Sequence, residues 1–85
     1  TDEWITQRTG IRERRVCRHP HEGTGYLSIL AAREAVERAQ IDPQTIDSVI
    51  CATVSGDYIW PATACNVQEA LGIRVTGAFD VSAAC

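Results

Sequence analysis

Two apolar runs, "SVICATV" at 48–54 and "TGAFDVSAAC" at 76–85, restrict the fold of this chain more than any other feature. Each is nearly continuous in hydrophobic residues, the pattern of a strand buried on both faces rather than one with a wet side. Such strands belong to parallel sheets, whose neighbours must be joined by a crossover. The residues between the runs can supply one. "SGDYIWP" reads as a loop, and "ATACNVQEALG" places Ala64, Val67 and Leu71 at helical spacing, with Gly72 as terminator.

A second helix precedes the first run. From Thr24, Ile29, Ala32, Val36 and Ala39 recur at helical spacing, while Arg33, Glu34, Glu37 and Arg38 fall opposite, with Glu34 and Arg38 placed as an i,i+4 pair. "IDPQTID" ends this helix, because Pro43 cannot continue it and Asp42 can cap a new short turn. Residues 1–23 mix charge with "TG", "HPH" and "EG" and read as loop or short extended pieces. The order helix, strand, helix, strand specifies an α/β layer structure with parallel strands.

At 85 residues the chain is at most one small domain with a marginal core. It begins at Thr1 rather than Met and closes in a Gly/Ala-rich stretch, so residues 1–85 are expected to be a fragment of a larger domain. With 45% hydrophobic and 22% charged residues, disordered and low-complexity classes are excluded. No apolar run approaches the roughly 20 residues of a membrane span, and no signal-peptide pattern is visible, so a cytoplasmic protein with no membrane partner is expected.

Cys17, Cys51, Cys65 and Cys85 form no CxxC pair, and reduced thiols are expected. Arg8, Arg12, Arg14, Arg15 and Arg18 crowd the start of a chain that has no lysine. Guanidinium without ammonium suits phosphate recognition, and codon composition would give the same pattern; both readings stay open. Arg12, Arg14 and Arg15 interleave with Glu13, which reads as a solvated loop face, and the net charge of -3 argues against a nucleic-acid partner. His19 and His21, with Cys17 upstream, match no usual zinc spacing, so no metal is expected there. Asp80, inside an apolar run, needs a partner if buried and reads as structural.

The end of the second run carries the chemistry. In α/β sheets functional groups gather past the carboxyl ends of strands, where the loop feeds a helix whose N-terminus offers unpaired amides and a positive dipole end. A cysteine there has its thiolate favoured and becomes a nucleophile near neutral pH. Ser82, Ala83 and Ala84 allow a sharp turn and a close substrate approach before Cys85. By position alone the commoner reading is a small buried hydrophobe, and it is the better one for Cys51 and Cys65.

"DEWITQRTGIRERR" at the start, "PATAC" at 61–65 and "AFDVSAAC" at the end together resemble the N-terminal portion of β-ketoacyl-acyl carrier protein synthase III, a condensing enzyme of the thiolase superfamily. The stretch "CRHPHEGTGYLS" at 17–28 is the least family-like part. The resemblance implies a thiolase fold of two similar α/β halves, with Cys85 at the nucleophile position of the first. It implies that this cysteine takes an acyl group from a coenzyme A thioester. Malonyl-acyl carrier protein then loses carbon dioxide to a carbanion that attacks the acyl-enzyme, giving a β-ketoacyl-carrier protein. A thiolate suits both half-reactions, being a good nucleophile and a good leaving group, and backbone amides near it would hold the oxyanion. The family's catalytic histidine and asparagine come from the second half, beyond these residues.

The same resemblance places Trp4 and Arg8 as coenzyme A contacts, indole on adenine and guanidinium on the nucleotide's polar part. Trp60 corresponds to an aromatic that reaches the acyl tunnel across a homodimer interface, and packing under its own loop is an equal alternative. No cofactor is implied, coenzyme A entering as the thioester substrate. The arginines suit electrostatic attraction to an acidic carrier protein, with the family's main docking surface expected outside these residues. Hydroxymethylglutaryl-CoA synthases and plant-type polyketide synthases share the nucleophile, but "DEWI" followed by "RTGIRERR" favours synthase III. The competing class is a non-catalytic or carrier-binding homologue, or a piece inactive without the second half; a cysteine at 85, rather than Ser, Gln or Ala, favours the enzyme. The resemblance implies either a fatty-acid or a polyketide-type product.

Overall fold

Residues 1–74 and 77–84 are described by a computed structural model of the chain. Residues 1–23, expected to be irregular, open instead with helix α1 (Asp2–Thr9). Its large apolar residues are Trp4 and Ile5, too few to make a stripe, and its ends explain it better than its face. Thr1 Oγ1 accepts the Trp4 N–H at 3.2 Å, Asp2 and Glu3 occupy the first turn and Arg8 the last. Gly10 closes the helix in the left-handed region at φ 74, where its N–H donates to the Thr6 carbonyl at 2.8 Å.

Helix α2 (Thr24–Ala39) and the ion pair on its outer side are as the periodicity predicts: Arg38 Nη2 lies 2.8 Å from Glu34 Oε1. Both partners are exposed, so the pair adds little stability. Gln40 ends the helix in the left-handed region, and a 3-10 turn (Pro43–Thr45) follows, its start capped by Asp42 Oδ1 accepting the Gln44 N–H at 2.9 Å. Strand β1 (Ser48–Ala52), helix α3 (Thr63–Leu71) and strand β2 (Gly77–Val81) complete the order, with Gly72 terminating α3 at φ 69.

The two strands pair in parallel, from Ser48 opposite Gly77 to Ala52 opposite Val81, and Thr53 N–H donates to Val81 C=O at 2.9 Å just past β1. Within these residues the expected burial is met on one face of the sheet. Rather than being buried on both faces, Val49, Cys51, Ala78 and Asp80 are half-buried, whereas Ile50 is 58% and Phe79 48% exposed. The reason is the layer arrangement: α3 packs against both strands and α2 against α3, so the helices cover one face. Ser28 of α2, 3.8 Å from Cys51 Sγ, marks that face. Ala64 and Val67 of α3 and Ile73 just beyond it are the buried apolar side chains among the described residues.

Candidate active site at the strand ends

A cavity of about 340 Å³ opens at the carboxyl ends of both strands, lined by Ala52, Thr53, Val54, Val81, Ala83 and Ala84. Small side chains leave that space, and the parallel register puts both strand ends on the same side. Ala84 adopts φ 53, in the left-handed region that an alanine seldom occupies, so the backbone turns sharply at the residue before Cys85. Cys85, the expected nucleophile, lies outside the described residues. What the fold supplies is its approach: a strand end, a strained turn and an apolar recess.

Asp80 organises the other side of this end. From β2 its carboxylate accepts two amides at the start of α3, Thr63 N–H to Oδ2 at 2.7 Å and Ala64 N–H to Oδ1 at 2.8 Å. The residue at the N-cap, Ala62, has no side chain able to do this. The structural role expected of Asp80 is therefore correct, and its partners are helix amides. Thr63 beside it is 1% exposed.

Asp57, in the "SGDYIWP" loop, does this for a single amide of α2. Its Oδ2 accepts the Gly25 N–H at 3.0 Å, where the N-cap Gly23 likewise offers no side chain. The approach is close enough that a Cβ at Gly23 or Gly25 would come within 2.5 Å of the carboxylate. The "GTG" at 23–25 was the available signal, since paired glycines mark close backbone approach. Thr24 Oγ1 donates to Ser55 C=O at 2.7 Å and ties the same loop to the same helix.

Of the expected binding residues, Trp4 and Arg8 are brought together: the guanidinium carbon stands 4.5 Å from the indole ring centroid, a cation–π contact on one face of α1. Trp4, but not Arg8, lines a pocket of about 410 Å³, whose charged lining residues are Arg12 and Arg14 together with Asp2 and Glu13. Trp4 keeps 55% of its surface exposed. Trp60 is not among the residues lining this pocket; it stands on the 53–62 loop at 80% exposure, joined to Pro61 by a cis peptide bond. At that exposure Trp60 does not pack under its own loop among these residues.

Cys17, Cys51 and Cys65 are free thiols, Cys17 exposed and the other two half-buried. His19 and His21 stack with ring centroids 5.5 Å apart, and Tyr26 meets His21 edge-on. Among the described residues no group of three or more His, Cys, Asp or Glu side chains could hold a metal ion. Nor is any helix there long and apolar enough to cross a membrane.

No protein-family model matches the chain. A β-ketoacyl-acyl-carrier-protein synthase III from Symbiobacterium thermophilum is 54% identical over 85 residues, all of this chain and 26% of that protein. The crystal structure of 3-oxoacyl-acyl-carrier-protein synthase III from Aquifex aeolicus superimposes with a TM-score of 0.80 at 43% identity, over 98% of this chain and 26% of that one. The priming β-ketosynthase of a polyketide biosynthetic pathway gives a TM-score of 0.81 at 40% identity, over 100% of this chain and 25% of that one. The chain resembles part of a β-ketoacyl-acyl carrier protein synthase III along its whole length. Its fold is part of the thiolase-like layered α/β architecture. It spans about a quarter of the length of the synthase III relatives it matches.

Proposed function

We propose that this chain is the N-terminal part of a synthase III-type acyltransferase, with Cys85 as its nucleophile. The observation that carries the reading is the strand end: past β2 the chain makes a left-handed turn at Ala84, the residue before Cys85 in the sequence, and Ala83 and Ala84 line a recess there. In the first half-reaction the Cys85 thiolate attacks the thioester carbonyl of an acyl-CoA, the carbon–sulfur bond to coenzyme A breaks, and the coenzyme leaves as its thiol after taking a proton. In the second, malonyl-acyl carrier protein loses carbon dioxide. The resulting carbanion attacks the acyl-cysteine, forming the β-ketoacyl-carrier protein and restoring the thiolate. No cofactor enters this chemistry.

Trp4 and Arg8 fit coenzyme A because α1 brings a flat indole and a forked donor together, with Trp4 lining an open pocket. Trp60, with the exposed Tyr58 and Ile59, fits a subunit contact that shapes the acyl site of a homodimer. The protein is cytoplasmic in this reading and engages neither nucleic acid nor membrane. It primes fatty-acid or polyketide-type synthesis. Incubating the full-length protein with isotopically labelled acyl-CoA tests it: the label should appear on the peptide containing Cys85 with release of free coenzyme A, and Cys85→Ser should abolish stable labelling. Label retained at the same level in the serine variant overturns the assignment.

A further inference from the structure

The 53–62 loop is fastened twice, once at each side of Trp60. On the upstream side Asp57 accepts the Gly25 N–H at 3.0 Å, and Ser55 C=O accepts the Thr24 hydroxyl at 2.7 Å. On the downstream side the Thr63 and Ala64 amides are held by Asp80 of β2 at 2.7 and 2.8 Å. The two fastenings meet at Gly56, where a Cβ would lie 3.0 Å from Thr63 Oγ1 and 3.9 Å from Asp80 Oδ2. Residues 58–62 therefore project between two carboxylate anchors, while Tyr58, Ile59 and Trp60 themselves are exposed. One of those anchors stands on the same strand that leads to Cys85.

We propose that Asp80 and Asp57 are positioning residues that fix the Trp60 loop relative to the carboxyl end of β2. The geometric part stands on the hydrogen bonds alone; the catalytic part rests on the synthase reading above. In that reading a single carboxylate links the aromatic that shapes the acyl site to the strand that carries the nucleophile. Charge-assisted bonds to helix amides suit this task, being shorter and more directional than neutral ones. Loosening either anchor should let Trp60 wander and blur the discrimination among acyl groups. Loss of folded enzyme would lower activity toward every acyl group equally and so cancels in a ratio.

The test uses the full-length protein with the isosteric variants Asp80→Asn and Asp57→Asn, each read in two ways. Hydrogen–deuterium exchange of peptides covering 58–64 should speed up by about tenfold in Asp80→Asn, as expected for loss of a charge-assisted bond. The ratio of kcat/KM between a straight and a branched short acyl-CoA should shift by about threefold or more in both variants, with the Trp60→Phe variant shifting it in the same sense. Unchanged exchange in Asp80→Asn overturns the anchoring itself. Faster exchange with an unchanged ratio overturns the positioning role. Should the unmodified protein accept no acyl group from any thioester, the synthase reading falls, and the exchange measurement still decides whether the carboxylates hold the loop.

Discussion

Gly25 lies in the first turn of α2, where an alanine would ordinarily be the better helix former. The structure reverses that preference, because a Cβ would sit 2.5 Å from the Asp57 oxygen that accepts the Gly25 amide. The carboxylate cannot swing aside without giving up that bond. Gly25→Ala is therefore expected to lower stability by about 1–3 kcal/mol, the usual cost of losing such a hydrogen bond, despite the gain in helix propensity. Thermal unfolding of the full-length variant checks this, and a raised Tm would show that Asp57 has another place to go. The same close approach separates what the sequence could and could not tell at this scale. Two glycines around Thr24 announced a crowded backbone, but nothing in "SGDYIWP" said that its aspartate was the crowding partner, since the two meet only through the tertiary fold.

At the scale of elements, what was legible followed from periodicity. α2, α3, the capped turn at Pro43 and the two parallel strands all announce themselves through apolar spacing or through Pro and Gly punctuation. α1 escaped because its signals are at its ends: a threonine cap, two acids, a late arginine and a left-handed glycine. For the strands these residues show one covered face. A run of apolar residues says that a strand can be covered on both faces, not that these residues cover it, and Ile50 and Phe79 remain open. Within α3 the buried side is narrow, with Ala64 and Val67 facing the core and Glu69 exposed. Val67→Ala should accordingly cost about 1–3 kcal/mol through lost burial and the space left behind. Glu69→Ala should stay within about 0.5 kcal/mol. Denaturant unfolding of the two variants compares them, and equal losses would mean that α3 is not packed by the face assigned to it. The end of β2 and the nearness of Arg8 to Trp4 on one helix were legible, whereas the double anchoring of the Trp60 loop was not, because its amides and carboxylates are joined by no local spacing.

Taken as a whole molecule, these residues form a loose body. The radius of gyration is 15.3 Å, against roughly 12 Å for a compact domain of this length. Among the described residues the buried apolar side chains number few, and Ile50, Phe79, Ile59 and Trp60 stand open. Produced as an isolated 85-residue chain, it should bind a hydrophobic dye such as ANS and self-associate, which fluorescence and light scattering would detect. A dye-silent monomer with sharp cooperative unfolding would contradict that expectation. The clasp between Asp80 and α3 also bears on how the molecule comes to be made. On a ribosome, Thr63 and Ala64 emerge before the acid that satisfies their amides. The opening turn of α3 therefore gains its carboxylate partner only once β2 has followed it out and paired alongside β1.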